Sequence, residues 1–457
     1  MLYSTIVPFV FGISAAAQVT SQNSSGTRLR VDNGTYGPEI EEVHYCESHS
    51  RCLNTQRSHL LTTPKDYDQW PIGIAAASDG RLFASYTRGS YRYTLGAIVN
   101  ETAEEPYPSL DLNLPVSELN TSWNGIPFGS GNSSAFISVQ ALYITPESNA
   151  TGRPETLWAL DTGRPTIHNA QGDPSMPYAQ PGGPKLVAIS LANDTIYQTF
   201  TFPPTVHYPD SYLNDLRFDL RPNVTGTSGQ GIAYLVDSSD EGRPGFIMLD
   251  LGTGESWRRL TQYRSVLRGF NDVPSYVGRP FYFEQLGQPI RWQQEGLDGI
   301  QITPDGERIF YSPLSTKRLY SIPTANLRER DSNPTAELSA HSNVSDHGQR
   351  GGNANGFEGD SNGLVYQLMP EYNAVYFYDS TPNGNGKTNA FVRDPRILWP
   401  DGASIGADGY IYLNINQLFD QVSSTLFVSP CYDIDADTFC RLIGTLVLIR
   451  GRILARS

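Results

Sequence analysis

The sequence predicts an all-β fold, a six-bladed β-propeller whose ring closes by pairing of N- and C-terminal strands. Three observations carry this. Short β-branched and aromatic runs alternate with turn residues along most of the chain. The pattern recurs every ~45 to 80 residues, the spacing of four-stranded repeats separated by loops of uneven length. Similar polar steps recur at strand openings, at Asn214-Asp215, Asp298-Gly299, Asn355-Gly356 and Asp401-Gly402.

The clearest unit is residues 296–323, GLDGIQITPDGERIFYSPLSTKRLYSIP. One strand opens at Asp298-Gly299, a Pro-Asp-Gly turn follows at residues 304–306, and two more strands run through Ile309 to Tyr311 and Arg318 to Ile322. A single meander of this kind cannot bury both faces of its sheet and needs neighbours. Residues 71–88, 137–165, 213–260, 353–379 and 400–417 supply five more units of the same shape. The run EEVHY at residues 41–45 is expected to close the last blade. Residues 100–131 and 166–184 read as insertions, the second too rich in Pro and Gly for a strand. Residues 261–296 form a long connection carrying Tyr276, Phe281, Tyr282, Phe283 and Trp292, and are expected to wall or cover a pocket. Residues 329–352 are polar and expected to be mobile. A helix can start near residue 324, but Pro334 stops it. The expected organisation is a leader at 1–17, a loose segment at 18–40 and one propeller domain at 41–457.

Composition bounds the partners. The chain has 33 basic and 47 acidic residues, a formal charge of −14, and no basic stripe. Nucleic acid and anionic membrane surfaces are thereby disfavoured. An apolar N-terminus ending in Ala15-Ala16-Ala17 reads as a signal peptide cleaved near Gln18. No later stretch approaches the length of a membrane span. Nine Asn-X-Ser/Thr sequons agree with export: Asn23, Asn33, Asn100, Asn120, Asn132, Asn149, Asn193, Asn223 and Asn343. The four cysteines, Cys46, Cys52, Cys431 and Cys440, can then pair as disulfides in any of three connectivities, local pairs being the simplest. They lack the C-x-x-C spacing of a zinc site.

Familiar motifs fail on context. Gly402 to Gly406 fits G-x-S-x-G, but a strand follows where a nucleophile elbow needs a helix. Asp433, Asp435 and Asp437 resemble the start of a calcium loop, yet Thr438 and Gly444 stand where its Gly and Glu belong. No pair among the seven histidines has the spacing of a zinc helix, and no glycine-rich nucleotide motif is present. No cofactor is predicted. For Asn214, Asp298, Asn355 and Asp401 taken singly, the simplest role is a turn cap, because Asn and Asp bond their own backbone. Convergence of several at one channel mouth would point instead to a ligand.

Three stretches carry a resemblance. LWALDTGRP (157–165), GIQITPDGERIFYSPLSTKRLYSIPTANLR (299–328) and ILWPDGASIGADGYIYLNINQL (397–418) resemble the major royal jelly and yellow protein family from about residue 70 onward. The resemblance implies a secreted six-bladed propeller. Members of that family are linked to dopachrome conversion, amine binding or nutrition, and fungal relatives to secondary metabolism. The chain is also similar to secreted fungal hetero-Diels–Alderases that build tropolone–sesquiterpenoids. Related gluconolactonase-type propellers hold a divalent metal on the axis. Here Asp298 occupies the first ligand place, but Ser312-Pro313 stands where the second Asp would be, so no catalytic metal is predicted.

These readings leave three small-molecule functions. A cofactor-free cyclase would hold an o-quinone methide and a terpene alkene in near-attack geometry, exclude water and donate a hydrogen bond to the heterodiene. Trp292, Trp399, Tyr282 and Phe283 would wall its pocket, with Arg291 or Asn355 as donor. A binding protein for an aromatic amine or pigment precursor would use Asp298 and Asp401 as counter-charges, with Asn214 beside them. A tautomerase would use one of those carboxylates to move a proton. An apolar aromatic pocket favours the first; one lined by carboxylates favours the others.

Overall fold

The computed structural model describes residues 35–44, 71–86, 93–100, 103–113, 121–123, 126–128, 135–165, 167–168, 174–175, 178–180, 182–276, 279–283, 291–416 and 445–450. The fold is an all-β propeller of antiparallel sheets. The described strands form six four-stranded sheets, each laid down from the innermost strand outward. The innermost strands are Pro71–Ala76, Val139–Thr145, Leu213–Asp219, Leu297–Ile302, Phe357–Gly359 and Pro400–Ile405. Each packs beside the next around one axis. Five sheets are continuous in sequence. The other adds Thr445–Arg450 and then Glu39–His44 to strands Pro400–Ile405 and Ile411–Ile415, with Glu39 opposite Arg450.

Burial explains the strand composition. Second and third strands such as Thr156–Asp161, Lys185–Ser190, Ile232–Asp237 and Gly245–Asp250 are buried along their whole length. Both of their faces meet a neighbouring sheet, so their sequences are apolar runs, not alternations. Outer strands sit at a sheet edge and alternate, as in Thr195–Thr201. Layers such as Trp158, Leu186, Leu216 and Leu249, or Tyr234, Met248, Ile300 and Tyr311, fill the space between successive sheets. Burying each such aliphatic side chain is worth about 1.5–3 kcal/mol.

The Asp-Gly turns join first to second strands. Gly80, Gly306 and Gly409 have φ of +89°, +70° and +81°, which a side chain would strain. In the 303–308 turn, Asp305 accepts from the Thr303 hydroxyl at 2.6 Å and the Glu307 amide at 3.0 Å.

Several expectations are corrected. Residues 100–131 are not all insertion: Ala103–Pro106 is the outer strand of the first sheet. Its polar AEEP sequence suits an edge, which apolar patterning does not mark. Residues 329–352 are ordered into the helix Ala336–Ser342 and the outer strand Ser345–Gln349. The helix that starts at Thr324 does end short of Pro334, at Arg328, and a second one follows at Ala336–Ser342. Within 166–184, Ile167–His168 pairs with Pro174–Ser175 in a minimal hairpin. No helix among the described residues is long and apolar enough to cross a membrane. The leader, all four cysteines, the acidic run at 433–437 and sequons Asn23, Asn33, Asn120 and Asn132 lie outside the described residues.

Candidate functional site

Five inner strands or their leads begin with the same step, an apolar anchor followed by a polar residue. The pairs are Val139-Gln140, Leu213-Asn214, Leu297-Asp298, Ala354-Asn355 and Pro400-Asp401. Each anchor is buried. Just after it the register slips in four of them, between Val139 and Ala141, Leu213 and Leu216, Leu297 and Gly299, and Pro400 and Ala403. A bulge re-aims the side chain it carries, and here it delivers the polar residue to the axis. The second strand sometimes adds a clamp. Asp161 accepts from the amides of Ile137 and Ser138 at 2.7 and 2.9 Å, and Asp237 from that of Tyr212 at 3.0 Å. In the fourth sheet Pro313 pairs with Leu297 at the equivalent place and supplies no such acceptor.

Glycine lets the strands approach. A Cβ on Gly356 would overlap the carbonyl oxygen of Asp401, and the Gly356 amide donates to that oxygen at 3.0 Å. A Cβ on Gly299 would likewise strike the carbonyl of Asn355. The Gly after Asp298 and Asn355 is therefore demanded by packing around the axis. Gly356→Ala is expected to cost about 1–3 kcal/mol through overpacking and to displace Asp401. Chemical denaturation reads the loss, and unchanged stability would show that the strands can part there.

The four polar openings do converge. Asn214 Nδ2 donates to Asp298 Oδ1 at 3.1 Å and to Ser238 Oγ at 3.0 Å. Asn355 donates to Asp401 Oδ1, and Asn416 Nδ2 donates to Asp401 Oδ2 at 2.6 Å. Gln140 links the ring, donating to Asn214 at 3.1 Å and accepting from the Tyr212 hydroxyl at 2.6 Å. These side chains bond one another, so the turn-cap role does not apply to them. Beneath them lies a cavity of about 30 Å³, lined by Gln140, Asn214, Asp215, Arg217, Asp298 and Asp401 among others. That is room for a couple of waters or one ammonium head group.

The floor is a charged layer. Arg217 donates to Asp215 at 2.8 Å, to Gln301 at 2.7 Å and to the carbonyls of Leu216 and Phe357, and lies 5.0 Å over the Tyr143 ring. Glu358 stands 3.8 Å away on the other side. Burial raises the Glu358 carboxyl to about 7, against the pull of Arg217.

Electrostatics divides the carboxylates. Asp215 is paired with Arg217, but Asp298 and Asp401 make no ion pair among the described residues. Burial, then the charges of Asp401, Glu295 and Asp215, push the Asp298 carboxyl well above its usual range. Burial likewise takes Asp401 up to about 8, opposed by the Asn416 hydrogen bond. Asp298 is 2% exposed, and its Oδ2 has no hydrogen-bond donor among the described residues. Burial thus disfavours the charged form of both carboxyls.

A divalent metal fits this set poorly. The amides of Asn214, Asn355 and Asn416 turn their NH₂ groups to the carboxylates, which leaves their nitrogens and not oxygens inward at those bonds. No group of three His, Cys, Asp or Glu suited to a metal occurs among the described residues.

The proposed aromatic wall is placed differently. Trp399 is buried and packs 5.0 Å from Phe281, with Leu314 completing the cluster, and does not line the axial cavity. Phe281 belongs to the connection between the third and fourth sheets, so that connection reaches over to the start of the sixth. Trp292 is half-buried in the hairpin of Tyr282–Phe283 with Arg291–Trp292, also outside the cavity lining. Only the backbone of Tyr282, Phe283 and Arg291 is described. Sequence reading missed Gln140, Arg217, Gln301, Glu358 and Asn416. Aligning Val139-Gln140 with Leu213-Asn214 would have found the first, and a charge inside the buried run LRFD the second. The other three carry no local mark.

No curated protein matches the chain in sequence. A luciferin-regenerating enzyme matches in structure with a TM-score of 0.46 at 9% identity, covering 91% of this chain and 96% of that one. Regucalcin, a calcium-binding protein from Agrobacterium tumefaciens, gives 0.43 at 11%, covering 83% and 90%. A gluconolactonase from Xanthomonas campestris gives 0.41 at 10%, covering 91% and 96%. None of these likenesses bears on chemistry. The sequence profile described as "Major royal jelly protein" matches residues 151–430, more than half of the chain. The span takes in Asn214, Asp298, Asn355 and Asp401, and the chain belongs to the major royal jelly protein family.

Proposed function

We propose that this chain, as a six-bladed ring closed by Glu39–His44 against Thr445–Arg450, binds a small aromatic amine on its axis. The protonated amino group enters the cavity between Asp298 and Asp401, and the rest of the molecule stays on the mouth side. One observation carries the reading: among the described residues, two carboxylates converge on a cavity without a cationic partner, and one oxygen of Asp298 lacks a donor. An ammonium supplies both the missing charge and the missing hydrogen bonds. An intermolecular hetero-Diels–Alder reaction needs an apolar pocket with space for two ring systems; the small charged cavity lends it no support.

Burial raises both the Asp298 and the Asp401 carboxyl, so a cation that binds their charged forms displaces protons. Affinity for a cation is therefore expected to rise as pH climbs toward about 8, the value for Asp401, by up to about tenfold per pH unit for each proton released. Calorimetry with tyramine and with its uncharged analogue 4-ethylphenol tests this. Tyramine is expected to bind and 4-ethylphenol to fail. Equal affinity for the two, or affinity that falls from pH 6 to 8, would sink the proposal. A proton-transfer reading draws on the same Asp401. Turnover of an o-quinone of the probe by the wild type, lost in Asp401→Asn, would favour it over simple binding.

A further inference from the structure

Asparagine followed by glycine is a reactive step, because the side-chain carbonyl carbon lies within reach of the next backbone nitrogen and glycine puts no Cβ in the way. Six such steps occur in the chain. Asn355-Gly356, Asn362-Gly363, Asn383-Gly384 and Asn385-Gly386 lie among the described residues, while Asn33-Gly34 and Asn124-Gly125 do not. The fold ties up the attacking amide in three of these four. The Gly356 amide donates to the Asp401 carbonyl at 3.0 Å, that of Gly363 to the Asp360 carbonyl at 3.2 Å, and that of Gly384 to the Thr381 carbonyl at 2.9 Å. Gly356 and Gly384 are also wedged, since a Cβ on either would overlap a carbonyl oxygen, of Asp401 and of Asp379 respectively. Gly386 differs. Its amide has no acceptor among the described residues, and nothing lies within 4 Å of where its Cβ would stand. Asn385 and Gly386 are both exposed. The Lys387 amide donates to Asn385 Oδ1 at 2.9 Å. That bond folds the side chain back over the Gly386 nitrogen and draws electrons from the side-chain carbonyl carbon.

We propose that Asn385 is a self-modifying site, which water converts to aspartate and isoaspartate through a cyclic imide, well ahead of Asn355, Asn362 and Asn383. The Gly386 amide nitrogen bonds the side-chain carbonyl carbon of Asn385. The bond from that carbon to the side-chain nitrogen breaks, and the nitrogen leaves as ammonia with the proton that Gly386 gives up. Water then adds to either carbonyl of the imide. The ring carbon–nitrogen bond at that carbonyl breaks, the water oxygen stays in the new carboxyl group, and the ring nitrogen regains a proton. One water is consumed, one ammonia is released, and nothing is oxidised or reduced. Opening on one side restores the ordinary main chain with an aspartate. Opening on the other routes the main chain through the side chain and lengthens it by a methylene. The site lies in the connection between Ala374–Asp379 and Thr388–Arg393. Phe357, which begins its inner strand at the mouth, pairs with Gln367, whereas Asp379 pairs with Leu364. The connection is therefore at the end of the fifth sheet opposite the axial mouth. The change adds one negative charge to a chain of formal charge −14 and leaves Asp298 and Asp401 as they are.

The test holds the full chain at pH 8 in ¹⁸O-labelled water, folded in one series and unfolded in urea in the other. Peptides taken at intervals are mapped by mass spectrometry, and isoaspartate is read by its methylation with an isoaspartyl methyltransferase. In the folded protein, label at Asn385 is expected to appear about tenfold or more faster than at Asn383 and Asn362, the scale of one hydrogen bond that must first break. Asn383 is the sharpest control, because it is exposed on the same turn. In urea the two are expected to react at similar rates. A lead of Asn385 that is present in the fold and vanishes in urea sustains the proposal. Folded Asn385 no faster than Asn383 overturns it, as does a lead that persists unchanged in urea, which would belong to the local sequence and not to the fold. The result is independent of the amine-binding reading, which the tyramine titration decides separately.

Discussion

Asp298→Asn is expected to stabilise the empty protein at pH 8 and to abolish amine binding. The side chain is buried and, among the described residues, accepts one hydrogen bond on Oδ1 from Asn214 and none on Oδ2. Its carboxyl is held protonated well above the usual range. In the unfolded chain the same group ionises near pH 4. Between those limits the unfolded state has released a proton that the native state keeps, so this group's contribution to stability falls as pH rises. Asparagine is isosteric, retains the bond from Asn214, and cannot ionise in the unfolded chain. The gain is expected at pH 8 and close to nil at pH 4, because it is the proton-linkage penalty that the ionisable group carries. Thermal unfolding at both pH values reads it. A loss of stability of equal size at both would mean that Asp298 is a structural acceptor and not a held charge. Gain in stability with loss of binding is the signature of a strained functional group.

Arg217→Met is expected to cost about 3–5 kcal/mol, the largest effect of any single change in the axial layer. Removing the guanidinium strands half-buried Asp215 and buried Glu358, and leaves Gln301 and the carbonyls of Leu216 and Phe357 without their donor. The loss belongs to the stranded partners, not to the net worth of the ion pair. Removing them too should restore most of it, so the triple change Arg217→Met, Asp215→Asn and Glu358→Gln is expected to lie within about 1–2 kcal/mol of the wild type, since replacing a whole buried ion cluster is often near neutral. Urea denaturation of both variants separates the cases. A stable single variant, or a triple no better than the single, would show that the layer is held by packing alone.

The sequence by itself determined the class of fold and the places where its strands begin. Local chemistry suffices for that. Asp-Gly turns need a positive φ at Gly80, Gly306 and Gly409, and doubly buried strands such as Ile232–Asp237 must be apolar throughout. It also singled out Asn214, Asp298, Asn355 and Asp401, because the same polar step recurs at four inner-strand openings. It did not find the polar edges Ala103–Pro106 and Ser345–Gln349, since an outer strand has a solvent face and needs no apolar pattern. Tertiary structure alone decided what the four openings do. They lie 187 positions apart along the chain at the extremes (Asn214 to Asp401), and only the ring of inner strands brings Asp298 and Asp401 to one cavity, with no cationic side chain paired to either among the described residues. It also set the aromatic residues apart from that cavity, because Trp399 is spent on packing against Phe281 and Leu314. Charge in a cavity depends on which groups meet there and how little water remains, and neither quantity is written in local sequence.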